Sequence, residues 1–470
     1  MKKIYSLLTI VVLLFGSFKV NAQNDGIAMT LLPHLSYNNY YNPGIPIDQK
    51  FVVGVGISNI NLGLYNSSIK YKNLYNFDQD VPTSLDLNKF INSLDEHDNF
   101  INSNFSLDLL RLGMRFNRLF IDVNWRLRFN TELHYSRDFL GFFINGNGHY
   151  LGQDNPADFS IGVDANLFTE LAVGLQYDIT DKLTVGVRPK LLNGIFNVSV
   201  DDDNTLIYTD PNTYEMTADA NINIKAATVF DVDIKRMSEF NNYINLDSII
   251  GLDELLNFEE NYGFGVDFGA SYTFNKHAGV ALGVYDLGFI KWTDVKEKHN
   301  HKDNVIINDA IVDDINDVLN MNIDLTELYS GMIKDVWGDD SLYVGEDYKT
   351  SLKTRIMLQG YYELMPIARF TAIGQMYYIN KQFRPALTVA YSGSFFRFLN
   401  FTASYTASKY SGNYVGAGLS LNFGPLNIYA VTDNIMILTK INAPTAELVT
   451  SYDAANVRFG IVFTLGKVRK

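Results

Sequence analysis

A set of basic side chains sits at alternate positions in segments that otherwise alternate apolar with small or polar residues: Arg111, Arg115, Arg126, Arg128, Arg188, Lys190, Lys353, Arg355 and Arg458. Around Arg126 the pattern is explicit. Trp125, Leu127 and Phe129 share one face, which puts Asp122, Asn124, Arg126 and Arg128 on the other. Two chemistries fit such a set. A ring of guanidinium groups can hold an anionic solute, or the carboxylate of an amphiphile, through bidentate pairing and local potential. The same groups can instead pair with Asp108, Asp122, Asp178, Asp267 and Glu363 as a structural ladder, because buried charges are normally paired.

Signals for catalysis are poor. Nucleophile, base and orienting group must converge, and His34, His97, His134, His149, His277, His299 and His301 fall mainly in loops or turns, outside any Ser or Asp constellation. His299 and His301 lie two apart beside Asp303, ligand types in the setting of a solvated loop, so neither a metal nor any other cofactor is expected. Gly263-x-Gly265 and Gly416-x-Gly418 open no helix, and glycine on one face of a strand accounts for both. The net charge of -14 comes from loop-like runs such as Asp201-Asp202-Asp203 and Asp313 to Asp317. Nucleic-acid binding, which needs a basic footprint, is not expected.

The elements that must position these residues are strands. Residues 1–22 read as a signal peptide: Lys2 and Lys3, an apolar stretch from Ile4 to Phe18, and Val20-Asn21-Ala22 before Gln23. The exported chain has no cysteine and is rich in aromatics, at 14%. No later apolar run is long enough for a helix span. Tyr262 to Phe274 alternates without a break, with aromatic or apolar residues on one face and Gly263, Gly265, Asp267, Gly269, Ser271 and Thr273 on the other. The pattern recurs at Leu171 to Ile179, Leu183 to Leu191, Thr354 to Leu364, Phe401 to Ala407, Val415 to Phe423 and Val457 to Leu465. Lipid on one side and a polar lumen on the other demand this period of two.

Tight turns are expected at Asn117-Arg118, Thr180-Asp181, Asn275-Lys276, Met365-Pro366, Arg397 and Gly424-Pro425. With an opening strand from Phe51 to about Tyr65 and a closing strand from Asn456 to about Gly466, they predict an all-β fold, a transmembrane antiparallel β-barrel of about fourteen strands. Residues 51–470 form it. The connections around Asn66 to Phe105, Asn130 to Leu167, Phe196 to Asn261 and Ile290 to Ser351 read as long extracellular loops. Helical insertions are expected within them, through Ile307, Ile311, Ile315, Val318 and Leu319, and within Ser84 to Ile101. A charge on the lipid face at mid-bilayer costs about 2–4 kcal/mol, so the basic side chains above should face inward.

Pro33 to Pro46 reads PHLSYNNYYNPGIP, and its Asn42-Pro43-Gly44 resembles the Asn-Pro-Ala signature that precedes the first strand in FadL-type fatty-acid transporters and in the related PorV-like and PorP/SprF-like barrels of Bacteroidota, a Gram-negative group. The ending, with Val431 to Ile435 and VRFGIVFTLG, is similar to an uncharacterised FadL-related family from the same bacteria. The departures are Gly44 in place of alanine and a C-terminus that runs past Phe463 to Lys470. The resemblance implies a barrel in the cell outer membrane, with residues 23–50 folded back as a plug, Asn42, Pro43 and Gly44 forming its turn, and hydrophobic molecules leaving through the wall. An ordinary Asn-Pro turn feeding the first strand remains the alternative.

The expectation is therefore a porin-like, FadL-like passive transporter, not an enzyme, for small hydrophobic or amphipathic molecules. Its partners would be outer-membrane lipid and a hydrophobic or anionic small molecule. A non-transporting barrel that docks a surface or secretion-machinery protein through its long loops is the competing expectation.

Overall fold

The computed structural model describes residues 27–67, 71–78, 81–97, 99–202, 205–228, 260–293, 295–307, 343–379, 382–396, 398–408, 413–435 and 454–467. The expected leader, the helix expected beyond Ile307 and the turn at Arg397 lie outside these residues.

One antiparallel sheet of 14 wall positions closes on itself. The first position is Gln49–Val55 followed by Ile60–Asn66, and both segments pair with the last strand, Ala454–Lys467. Between them run Asn99–Phe116, Leu119–Tyr135, Ile161–Asp178 and Leu183–Asp202, then a sixth position made of Met216–Thr228 and Tyr262–Asn275. Ala278–Trp292 continues as Val295–Ile307, and Tyr348–Ser351 as Thr354–Met365. Ala368–Ile379, Gln382–Phe395, Leu399–Ser408, Asn413–Phe423 and Leu426–Thr432 complete the circuit. Five of the expected tight turns fall between described strands, at 117–118, 179–182, 276–277, 366–367 and 424–425, all at one end.

The alternation partitions each strand between lumen and outside. Phe264, Phe268, Tyr272 and Phe274 are exposed on the outer face, as are Phe116, Tyr177, Tyr362, Phe395, Phe423 and Phe463 near the tight turns. These form an apolar belt with an aromatic girdle, the surface a lipid bilayer requires. Among the described residues no helix is long and apolar enough to cross a membrane; a barrel crosses with strands. Phe268→Arg, at the centre of its strand, is expected to lower bilayer stability by about 2–4 kcal/mol. Urea titration of the protein refolded in lipid vesicles measures it, and an unchanged midpoint would place that face away from lipid.

Several stretches expected as long loops are strands instead. Beyond Phe196 the fifth strand runs on to Asp202 and pairs with Met216–Thr228, which in turn pairs with Val295–Ile307. The wall thus rises well past the belt on this side. His299 and His301 belong to that strand and not to a loop. The parity of the alternation hides the extension, because a register shift between Leu167 and Phe168 opposite Phe196 and Gly194 swaps which residues face inward.

Of the two helices the periodicity suggests, the one that lies within the described residues is shorter than expected. In Ser84 to Ile101 only Leu87–Ser93 is helical, started by Asp86, whose side chain accepts from the Lys89 N–H at 2.9 Å; Asn99 already begins a strand. Arg137–Asn145, capped by Ser136, lays Phe139, Phe142 and Phe143 against Val198, Val200, Ile207, Ala218 and Ile222. That face of the extended wall lies opposite Ser199, which is level with Glu132 and Asp164 on the inner side.

Candidate functional site: a filled lumen beneath a polar vestibule

The lumen is occupied by the chain itself. Ile27, Ala28, Met29, Leu31, Leu32, Leu35, Tyr37, Tyr40, Tyr41 and Ile47 are buried with Phe120, Tyr285, Met357, Ile373, Tyr429 and Val462 of the wall in one cluster. Each large side chain removed from water there contributes about 1.5–3 kcal/mol.

The Asn42-Pro43-Gly44 turn is seated on the inner wall. The Gly44 N–H donates to Asn42 Oδ1 at 2.9 Å and the Ile45 N–H to the Asn42 carbonyl at 3.1 Å, with Pro43 fixing the intervening φ. Beneath it lies a row of glycines. Gly186, Gly269 and Gly283 are register partners on three adjacent strands. A Cβ at Gly186 would overlap the Pro43 carbonyl; at Gly269 it would overlap Asn42 Oδ1; at Gly283 it would lie 2.9 Å from Asn42 Cβ. Gln176 and Ser271 complete the seat: the Gln176 amide donates to the Pro43 and Ile45 carbonyls at 2.6 Å, and Ser271 Oγ donates to the Gly44 carbonyl at 2.7 Å. The absence of alanine at Gly44 has a steric reason, because a Cβ there would meet the Gly269–Ala270 backbone, 2.6 Å from Ala270 Cα. The turn is buried inside the barrel and does not merely lead into the first strand.

Above the turn, five cations and five carboxylates interleave. Arg126 Nε donates to Asp108 at 2.8 Å and Nη1 to Glu170 at 3.2 Å. Arg128 pairs with Asp286 at 2.8 and 3.1 Å and with Glu170 at 2.9 Å. Lys190 Nζ lies 2.6 Å from Asp286 and 2.7 Å from Asp267. Arg111 and Arg188 lie 3.6 and 3.5 Å from Asp122. The balance of charge is what makes their burial tolerable. The N-terminal segment is tied into the belt: Arg111 donates to the Ser36 carbonyl at 2.8 Å and Arg188 to that of Tyr40 at 3.0 Å. Arg111 also stands 4.1 Å over the Tyr37 ring and Arg126 4.2 Å over that of Tyr40.

One member of this belt, Asp286, depends on a bulge. Between Val284 and Leu287 the register shifts, Asp286 takes φ 60°, and Tyr285 and Asp286 are both buried, where strict alternation would send one outward. The Asp286 N–H donates to Asp267 Oδ1 at 2.8 Å, closing the bulge.

The basic residues therefore divide. Arg111, Arg126, Arg128, Arg188 and Lys190 meet in the belt. Arg115 lies apart, 3.0 Å from Asp178, donating also to the Ile47 carbonyl at 3.1 Å. Lys353, Arg355 and Arg458 sit towards the long-loop end. Lys353 is 3.0 Å from Glu132, Arg355 lies 4.0 Å over the Tyr41 ring and 4.4 Å over that of Tyr377, and Arg458 Nη2 donates to Tyr41 Oη at 3.0 Å. Glu363 does not join any of them; it pairs with Arg369 beside a tight turn. Sequence reasoning missed Glu132, Glu170, Asp286 and Arg384. It also missed His134, a wall residue 2.6 Å from Glu132, and the tyrosines of the N-terminal segment.

A cavity of about 950 Å³ opens at the long-loop end, lined by Asn130, Thr131, Glu132, His134, Asp164, Asn166, Ser199, Asp201, Lys225, Tyr348, Lys349, Lys353, Tyr378 and Arg384 among others. Asn130 and Lys353 also line a smaller cavity of about 40 Å³ below it, with Tyr40, Tyr41, Arg128, Tyr285, Arg355 and Arg458. Among the described residues no group of three or more His, Asp or Glu is placed to hold a metal ion.

A family model described as "Family of unknown function (DUF5723)" matches residues 43–433. No curated protein matches. Solved structures that resemble the fold include a FadL homologue of Pseudomonas aeruginosa, at 9% identity and TM-score 0.44, covering 95% of this chain and 100% of that one. The toluene transporter TodX of Pseudomonas putida follows at 6% identity and TM-score 0.40, with 95% and 98% covered. The Ralstonia pickettii toluene transporter TbuX gives 8% identity and TM-score 0.40, with 92% and 94% covered.

Proposed function

The chain belongs to the family of unknown function DUF5723, and we propose that it is an outer-membrane passage for small molecules, closed at rest by its own N-terminal segment. One observation carries this reading: the lumen is blocked by a separate length of chain, residues 27–47, and not by side chains of the wall alone, directly beneath a vestibule of about 950 Å³. A peptide seated by turn and hydrogen bonds can move without breaking the barrel, whereas wall side chains cannot. The tight turns face the periplasm in this orientation and the vestibule faces outside. Small molecules would enter from the vestibule and pass when the segment shifts.

Removing Ile27 to Gly44 while retaining the strand from Gln49 tests it. The truncated protein in liposomes is expected to admit small sugars and amino acids that the intact chain admits slowly or not at all, measured as the rate of osmotic swelling. Equal rates for the two, with both proteins shown to be folded by heat-dependent gel mobility, would defeat the proposal.

A further inference from the structure

Among the described residues the vestibule floor carries more positive than negative charge. Lys353, Arg355, Arg384 and Arg458 line the two adjoining cavities there, with Glu132 3.0 Å from Lys353 and 3.8 Å from Arg384. Arg128 also reaches the smaller cavity but brings its partner Asp286. Asp164, the register partner of Glu132, and Asp201 are matched in number by Lys225 and Lys349. The excess positive charge therefore lies with Lys353, Arg355, Arg384 and Arg458, in a low-dielectric recess that focuses potential on whatever enters. The smaller cavity, about 40 Å³, has room for a few water-sized groups and so for a carboxylate or phosphate. The walls of the larger cavity mix amides, hydroxyls and tyrosines, Asn130, Thr131, Asn166, Ser199, Tyr348 and Tyr378, with Ile161, Val200 and Leu352. A long alkyl chain would leave the amides and hydroxyls unpaired, while a polyhydroxylated molecule can satisfy them.

We propose that the vestibule is a binding site for a hydrophilic organic anion of the sugar-acid class, its negative group held at the floor by Lys353, Arg355 and Arg458 and its hydroxyls by the wall above. This rests on the reading of the barrel as a passage, and names what enters it.

Isothermal titration of the full chain in a zwitterionic detergent, with trigalacturonate, maltotriose and octanoate as probes, tests the site. Trigalacturonate should bind, more weakly as salt rises, and at least about tenfold more tightly than either neutral maltotriose or octanoate. Lys353→Gln should weaken it about tenfold or more, Lys353→Arg should restore most of it, and Lys276→Gln in a tight turn at the other end should change nothing. Should Lys353→Gln not fold, the salt dependence and the Lys353→Arg variant still decide. Octanoate or maltotriose binding as well as trigalacturonate, or no probe binding at all, overturns the assignment. Liposome uptake is read separately. Binding without uptake leaves the site and removes the passage; uptake of other solutes without anion binding does the reverse.

Discussion

Leucine in place of Gly269 is expected to convert a closed barrel into a conducting one. The position has no room to absorb a side chain: a Cβ there overlaps Asn42 Oδ1 and stands 2.6 Å from the Gly44 nitrogen. Neither side can yield easily. Pro43 fixes the turn, and Gly269 is held on both flanks by ladders to Gly186 and Gly283. Overpacking by a methylene or two costs about 1–3 kcal/mol, and a whole isobutyl group against backbone costs more. The hydrogen bonds that seat the turn, from Gln176 and Ser271, contribute about 1 kcal/mol each. Overpacking wins, so the turn leaves its seat while the barrel stays closed around it. Planar-bilayer recordings should show stepwise conductance for Gly269→Leu and little or none for the parent. Gly360→Leu is the control, because a Cβ there meets nothing within 4 Å. A silent Gly269→Leu channel whose N-terminal segment is as resistant to protease as the parent's would rule out the glycine row as the seat.

Much of this architecture is legible in the residues, and the failures share a cause. The strands that read cleanly, such as Tyr262 to Phe274, are those in which the period of two runs unbroken between turns, since lipid and lumen each demand their own side-chain chemistry. Where a bulge resets the parity the reading fails. Val280, Leu282 and Val284 point outward at even positions, yet Leu287 points outward at an odd one, which is the trace that Tyr285-Asp286 leaves in the sequence. Phe196 to Asp202 was equally hidden, because strand beyond a register shift resembles polar loop. The basic residues could be placed on the inner face but not sorted. Which carboxylate each meets depends on register between strands distant in sequence, such as Arg128 with Asp286. The Asn-Pro turn was visible. Its seat was not, because three glycines on three strands form a row only after the barrel closes.

Replacing Asp286 with alanine should cost the folded barrel about 3–5 kcal/mol, the usual result of removing one partner from a buried ion pair. Its carboxylate accepts from both Arg128 and Lys190, and although Glu170 and Asp267 remain, five buried cations would then face four carboxylates. Backbone strain adds to the loss, since alanine at φ 60° costs roughly 1–2 kcal/mol that aspartate tolerates better. Asp286→Gly removes the strain but not the charge defect, so its midpoint in urea should lie between those of alanine and parent. Asp286→Asn with Lys190→Met restores the count of charges and should recover part of the loss, a coupling of about 0.5–3 kcal/mol in a double-mutant cycle. Because these groups are buried, the penalty should change little between low and high salt. Fluorescence-monitored unfolding in bilayers reads all of these, and an alanine variant with the parent's midpoint would show that the belt is not structural. Conductance separates the belt from the turn below it: if Asp286→Ala is less stable yet still closed, the Asp286 carboxylate holds the wall, and the segment that fills it is held by its other contacts, the seat of Asn42 to Gly44 among them.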